Sequence, residues 1–212
     1  MRTQDLIAAL AADTPPTGPS IGKGLAWAML AAIPAAALVM QASLGVRGNF
    51  LASLSDPRFA FKFAVTGILA VLTVCSVLRL ARPQPGGGGL SAAIAASCLL
   101  LACGVALELL VLPESLWMPR LVGRNALTCL TFVPLISLAP LALVLLALRR
   151  GAPAAPARTG LAAGIACGAL GAFFYAAHCP DDSPLFVAVW YSMGIAIVAL
   201  AGAILGRRLL RW

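Results

Sequence analysis

Charge is scarce in this chain. Asp, Glu, Lys and Arg make up 10% of its 212 residues, there is one histidine, and 61% of the residues are hydrophobic. A soluble domain carries about 25% charged residues, so the balance excludes an ordinary water-soluble globule. Also missing are a Gly-x-Gly-x-x-Gly turn in a strand context, a Walker loop, a His-Glu-x-x-His pair and any Cys-x-x-Cys. Their absence removes the usual signatures of nucleotide chemistry, zinc hydrolysis and thioredoxin-like exchange. Segments of about ten residues that alternate apolar and polar, the mark of a membrane β-barrel, are lacking too.

What the chain has instead is long apolar runs. Six of them, at roughly 24–45, 60–78, 90–112, 126–148, 159–177 and 185–206, reach the length of about 20 residues that a helix needs to cross about 30 Å of hydrocarbon. Runs such as LAPLALVLLAL are apolar on every face, which a helix in lipid tolerates and a barrel strand does not. The expected fold is an all-α, polytopic bundle of six transmembrane helices. Residues 1–23 form an N-terminal segment with a short amphipathic helix, 24–206 the membrane domain and 207–212 a short basic tail. The polar, Pro-rich stretch before the first run does not fit a cleaved signal, so the N-terminus is expected to persist.

Fifteen Lys and Arg against seven Asp and Glu give a net charge of +8. In a soluble protein that excess would point to nucleic acid, but here its distribution explains it. With a cytoplasmic N-terminus, ten of the bases fall on inside segments and five on outside ones, as the positive-inside rule requires. Both termini are then cytoplasmic and no direct nucleic-acid contact is expected. The first hairpin fits least well, because Arg47, Arg58 and Lys62 fall outside. Glu108, the charge inside the third run, lies close enough to the outer interface to reach headgroups, so a transport path is poorly supported.

The links RLARPQPGGGGL and RRGAPAAPARTG read as flexible connections. Gly160, Gly164, Gly168 and Gly171 allow close backbone approach in the fifth run, and Pro34, Pro134 and Pro140 are expected to kink their helices. Near the N-terminus Thr3 caps a short helix whose Leu6, Ile7 and Leu10 share one face. So short a helix is marginal alone in water and orders on a protein partner or the bilayer surface.

The topology sorts the six cysteines. Cys75, Cys98, Cys103 and Cys167 fall within the membrane, where buried thiols act as inert small hydrophobes. Cys129, one turn into the fourth helix, and Cys179, in the fifth link, fall at the outer face. In an oxidising compartment two such thiols can form a disulfide or capture a soft metal ion. Beside Cys179 stand His178, Asp181 and Asp182. Together with Cys179 they supply N, S and O donors, although HCPDD lacks the paired spacing of a structural zinc site. A tight polar turn with solvated aspartates is the plainer reading. No cofactor is required; a soft metal ion at Cys129, Cys179 and His178 is the one candidate.

The N-terminal MRTQDLIAALAADT, the segment NALTCLTFVPLISLAPLALVLLALRR and above all AAHCPDDSPLFVAVWY resemble the NrsF family, six-span bacterial inner-membrane proteins that negatively regulate extracytoplasmic-function sigma factors. The resemblance spans essentially the whole chain. It implies a non-enzymatic, multi-pass anti-sigma factor that holds its sigma factor at the inner membrane until envelope stress arrives. It further implies that Cys129 and Cys179 read a thiol-reactive signal, metal or oxidant. A grip on sigma by the Leu6, Ile7 and Leu10 face is the expected output. A membrane thiol oxidoreductase is the main alternative, and a small metal or solute transporter a weaker one; the first would need a second redox pair to relay electrons.

Overall fold

The computed structural model describes residues 3–12, 20–81, 89–151 and 153–211. Among them every regular element is helical, in the order α1 (Thr3–Ala11), α2 (Ile21–Ser43), α3 (Phe50–Ser53), α4 (Pro57–Leu80), α5 (Gly89–Val111), α6 (Trp117–Val122), α7 (Ala126–Leu148), α8 (Pro156–Tyr175), α9 (Pro184–Phe186) and α10 (Ser192–Leu209). A π-helical turn, Val187–Tyr191, joins α9 to α10, so that 184–209 crosses as one unit. Six helices are long and apolar enough to span a bilayer, and their ends fall within a few residues of those read from the sequence. The expected N-terminal helix forms as α1 with Ile7 exposed. The side chains of Leu6 and Leu10 lie outside those described, as does the glycine-rich link 82–88.

Helix starts follow local chemistry. Pro57, Pro156 and Pro184 occupy first-turn positions, where a missing N–H costs nothing and the fixed φ suits the helix. The Asp56 carboxylate accepts from the Arg58 amide at 2.8 Å and caps α4. α2 continues through Pro34, and α7 through both Pro134 and Pro140.

α8 is the axle of the bundle. Of its most apolar stretch 67% is buried, against 17% for α5. It packs most closely on α10, and small residues are the reason. A Cβ added at Gly164 would sit 2.7 Å from the Ala199 Cα, and one at Gly206 2.7 Å from the Gly160 Cα. Gly160 and Gly202 face each other at still closer range. With no side chain between them the two backbones gain dispersion contact along a continuous seam, which is how helices associate when lipid offers no hydrophobic contrast. On another face Gly171 receives Ser137 of α7.

The core divides between the two ends. At the end where α2 begins and α10 finishes, Leu25, Val77, Val144, Leu148, Val198 and Leu210 pack together. At the opposite end Met40, Cys129, Ile136, Tyr175, Cys179 and Tyr191 do. Outward, Trp27, Leu38, Leu99, Leu110, Leu127 and Leu200 are exposed, an apolar surface suited to lipid. Of the four cysteines expected within the membrane, Cys75, Cys98 and Cys103 lie on this exposed surface and Cys167 is buried. The expectation of four core-filling thiols is thus corrected for three of them, which stand on exposed sides of α4 and α5.

Candidate functional site

The link between α8 and α9 is built to stay put. After Tyr175 the chain makes one more turn, in which the amides of His178 and Cys179 both donate to the Tyr175 carbonyl at 2.9 and 3.0 Å. Pro180 then ends the helical course, lacking an amide and disfavouring helical backbone in the residue before it. The turn tucks Cys179 inward, fully buried. Ser183, in extended conformation, accepts from the Leu185 amide and opens α9.

Around this link runs a lattice of ionic and polar contacts. Lys62 of α4 is fully buried; its ammonium pairs with Asp182 and donates to the Cys179 carbonyl at 2.7 Å. Arg47, from the link after α2, pairs with the same carboxylate at 3.1 Å and donates to the same carbonyl at 3.2 Å. Its guanidinium also lies 4.2 Å from the centroid of the Phe59 ring, a cation–π contact. An isolated ammonium buried among apolar helices would be prohibitive, and a carboxylate with a carbonyl offsets that cost. The Arg47 amide donates to the Ala177 carbonyl, and His178 Nδ1 lies 3.1 Å from the Gly45 carbonyl.

Asp181 does a different job. One of its oxygens accepts from the Arg124 and Asn125 amides and from Asn125 Nδ2, at 3.0, 2.9 and 2.9 Å. Asn125 precedes α7 and makes no side-chain cap of its own; the carboxylate of a distant link instead holds the two residues that lead into the helix, near the positive end of its dipole. Gly123, with φ of +60°, makes the approach possible. A Cβ there would lie 2.5 Å from the Phe186 ring and 2.9 Å from the Asp181 carboxyl carbon.

Glu108 is corrected by the structure. It does not reach toward headgroups but is buried, accepting from Arg58 Nε at 3.0 Å and Ser183 Oγ at 3.1 Å. The solvated-aspartate reading fails for the same reason, since Asp181 and Asp182 are both engaged. One eight-residue stretch, 176–183, is thereby fastened to α4, α5, α7 and the link after α2.

Cys129 and Cys179 come together in one buried cluster with Tyr175, Phe186 and Tyr191, and both are free thiols. Burial pushes the Cys179 thiol above its ordinary range, while the Lys62 ammonium and the Asp181 backbone pull it back. His178 has its Nδ1 at the Gly45 carbonyl. Among the described residues no three His, Cys, Asp or Glu side chains converge as a metal set; the donors adjacent in HCPDD are shared out to different partners.

Sequence reasoning missed Arg47, Arg58, Lys62, Tyr175 and Tyr191 as members of this site. For the three bases a signal existed: they were the misfits of the charge distribution, placed on the face that should be poor in them. Each has an acidic partner across the bundle. The tyrosines carried no signal that separates them from core aromatics.

Over residues 10–212 the chain matches the family model described as negative regulator of sigma F. It is 36% identical over 216 residues to the anti-sigma-F factor NrsF of Caulobacter vibrioides, and 32% identical over 213 residues to the probable anti-sigma-F factor NrsF of Azospira oryzae. Both alignments cover the whole of each chain. No solved structure matches it. A full-length match to the family model, full-length likeness to two relatives bearing the family's name and a bundle of six membrane-length helices together place this chain in the NrsF family.

Proposed function

We propose that this protein is an anti-sigma factor that holds an extracytoplasmic-function sigma factor at the bacterial inner membrane and releases it when Cys129 and Cys179 react with a thiol-directed stress. Membership of the family supports the anti-sigma role, and the full-length relatives carry that name. The observation that carries the sensing role is the meeting of Cys129, from α7, with Cys179, from the 176–183 link, in one buried cluster. The orientation that fits puts this end outside and the termini in the cytoplasm. By sequence, the segments at the cysteine end carry five bases and five acids, whereas the remaining segments carry ten bases against Asp5 and Asp13, and so the whole net charge of +8.

A thiol pair of this kind accepts a soft metal ion or a two-electron oxidant. Either event changes how the link seats on α7, and the link is the common fastening of α4, α5 and α7. Stiff helices carry the altered seating to the far end, where sigma is held by the α1 segment, Leu6, Ile7 and Leu10 included, assisted by basic links. A swing from 1:99 to 99:1 needs a differential of about 5.5 kcal/mol. A disulfide contributes about 2 to 4 kcal/mol, and re-seating the ionic lattice supplies the remainder.

The test is sigma-dependent reporter output in cells carrying wild type, Cys129→Ser, Cys179→Ser or both changes, with and without thiol-reactive stress. The single and double variants are expected to lock the reporter in one shared state. A stress response equal to wild type in all three would overturn the sensing role.

A further inference from the structure

The two thiols of the pair have different surroundings. Cys129 packs in the first turns of α7 against apolar neighbours, Val133 and Phe186 among them. Cys179 has Lys62 and Arg47 on its own carbonyl, two cations that share the carboxylate of Asp182, while the Asp181 carboxylate is engaged by the Arg124 and Asn125 amides. Sharing the buried cluster with both sulfurs are Tyr175 and Tyr191, from α8 and the π-helical turn. Both tyrosines are at least 99% buried, yet neither hydroxyl has a hydrogen-bond partner. An unpartnered buried O–H costs free energy unless some state of the protein uses it, and a π-helical turn inside a helix is a frequent mark of a working site.

Resting on the proposed sensing role, we propose that Cys179 is the thiol that reacts first, that Tyr175 and Tyr191 donate hydrogen bonds to its thiolate, and that Cys129 is the resolving thiol. With a peroxide as oxidant, the Cys179 thiolate attacks one oxygen. An S–O bond forms as the O–O bond breaks, and hydroxide leaves and takes up the thiol's proton as water. The Cys129 sulfur then attacks the Cys179 sulfenic acid; the S–S bond forms, the S–O bond breaks and a second water departs with the Cys129 proton. In sum, two thiols and one peroxide give a disulfide and two waters. The tyrosine hydroxyls find their missing acceptor in the thiolate, which is the anion the sequence of steps must hold. Lys62 acts as a positioning residue, fixing the Cys179 backbone and facing the developing charge.

The groups facing Cys179 are Lys62 and Arg47 from the first hairpin and Cys129 from α7. Tyr175 and Tyr191 face it from α8 and the π-helical turn, and Asp181, Asp182 and His178 lie on its own link. Because both thiols sit in one cluster, any opening that admits a reagent admits it to both, and the ratio of their rates cancels the opening step. The experiment is alkylation of the full-length protein in nanodiscs with iodoacetamide, read at each cysteine by peptide mass spectrometry across pH. The thiolate sulfur takes the methylene carbon, and iodide leaves.

Cys179 is expected to react faster than Cys129. Tyr175→Phe and Tyr191→Phe each lower the Cys179 to Cys129 rate ratio by about tenfold and move the Cys179 profile to higher pH by about one unit. Lys62→Arg keeps the ratio and Lys62→Met lowers it. A faster Cys129, or an unchanged ratio in both tyrosine variants, would overturn the assignment. If one tyrosine variant is not recovered as a monodisperse protein, the other decides. Should the serine variants abolish the reporter response while the tyrosine variants leave the ratio alone, the thiol assignment fails and the sensing role stands. Should the ratios shift as stated while the serine variants respond like wild type, the sensing role fails and the thiol assignment stands.

Discussion

Lys62 brings an ammonium to a fully buried place, and its company explains why it is tolerated. Asp182 and the Cys179 carbonyl take its protons, and the Phe59 ring lies 4.9 Å away. Removing one partner of such a group leaves the others uncompensated. Lys62→Ala is therefore expected to cost about 3 kcal/mol of stability, measured by thermal unfolding in detergent. Lys62→Ala with Asp182→Ala is expected to cost less than the sum of the two single changes, because the pair is lost together. Asp181→Ala removes the acceptor of three hydrogen bonds from Arg124 and Asn125 and is expected to cost about 2 kcal/mol. For Cys179 the sign follows from its raised pKa. Its alkylation rate should keep climbing with pH beyond about 8.5, where the titration of a free thiol is half complete.

At the scale of elements, the seam between α8 and α10 sets the bundle. Gly164→Leu would drive a side chain into the Val198 carbonyl, 2.5 Å from the added Cβ, and backbone cannot yield as a flexible side chain can. Loss of the compact, detergent-stable particle is expected for this variant and for Gly202→Leu, seen by size-exclusion chromatography. Gly89→Ala is the control, since a Cβ there meets only the Arg79 and Ser76 side chains at 3.4 Å or more. The helices themselves were legible because a bilayer dictates their length, and α8's role was legible in its glycines at steps of four and three. The pairing of helices was not, since apolar runs carry no address. The lattice was hidden for a related reason: Arg47 and Asp182 stand 135 positions apart and Arg58 and Glu108 stand 50 apart. The two cysteines and the aspartates of HCPDD were visible as residues, whereas their partners follow only from the fold.

The molecule as a whole is electrically lopsided, with its net charge gathered at the end away from the cysteines. That end carries Arg79, Arg149, Arg150, Arg207, Arg208 and Arg211, a surface suited to an anionic leaflet and to acidic patches on a partner. α1 lies beside it in sequence, with Ile7 exposed. Deleting residues 2–14 is expected to abolish sigma retention while leaving the bundle's thermal unfolding unchanged, because among the described residues the core clusters contain none of α1.

The central claim is that chemistry at Cys129 and Cys179 changes the hold on sigma at the opposite end. It is tested most directly with membranes from cells containing the protein and its sigma factor, sedimented before and after treatment with a thiol oxidant. The account predicts that sigma sediments with untreated wild-type membranes and moves to the supernatant on treatment, and that Cys129→Ser with Cys179→Ser removes the effect of treatment. Release from the double variant to the same extent as from wild type would contradict it.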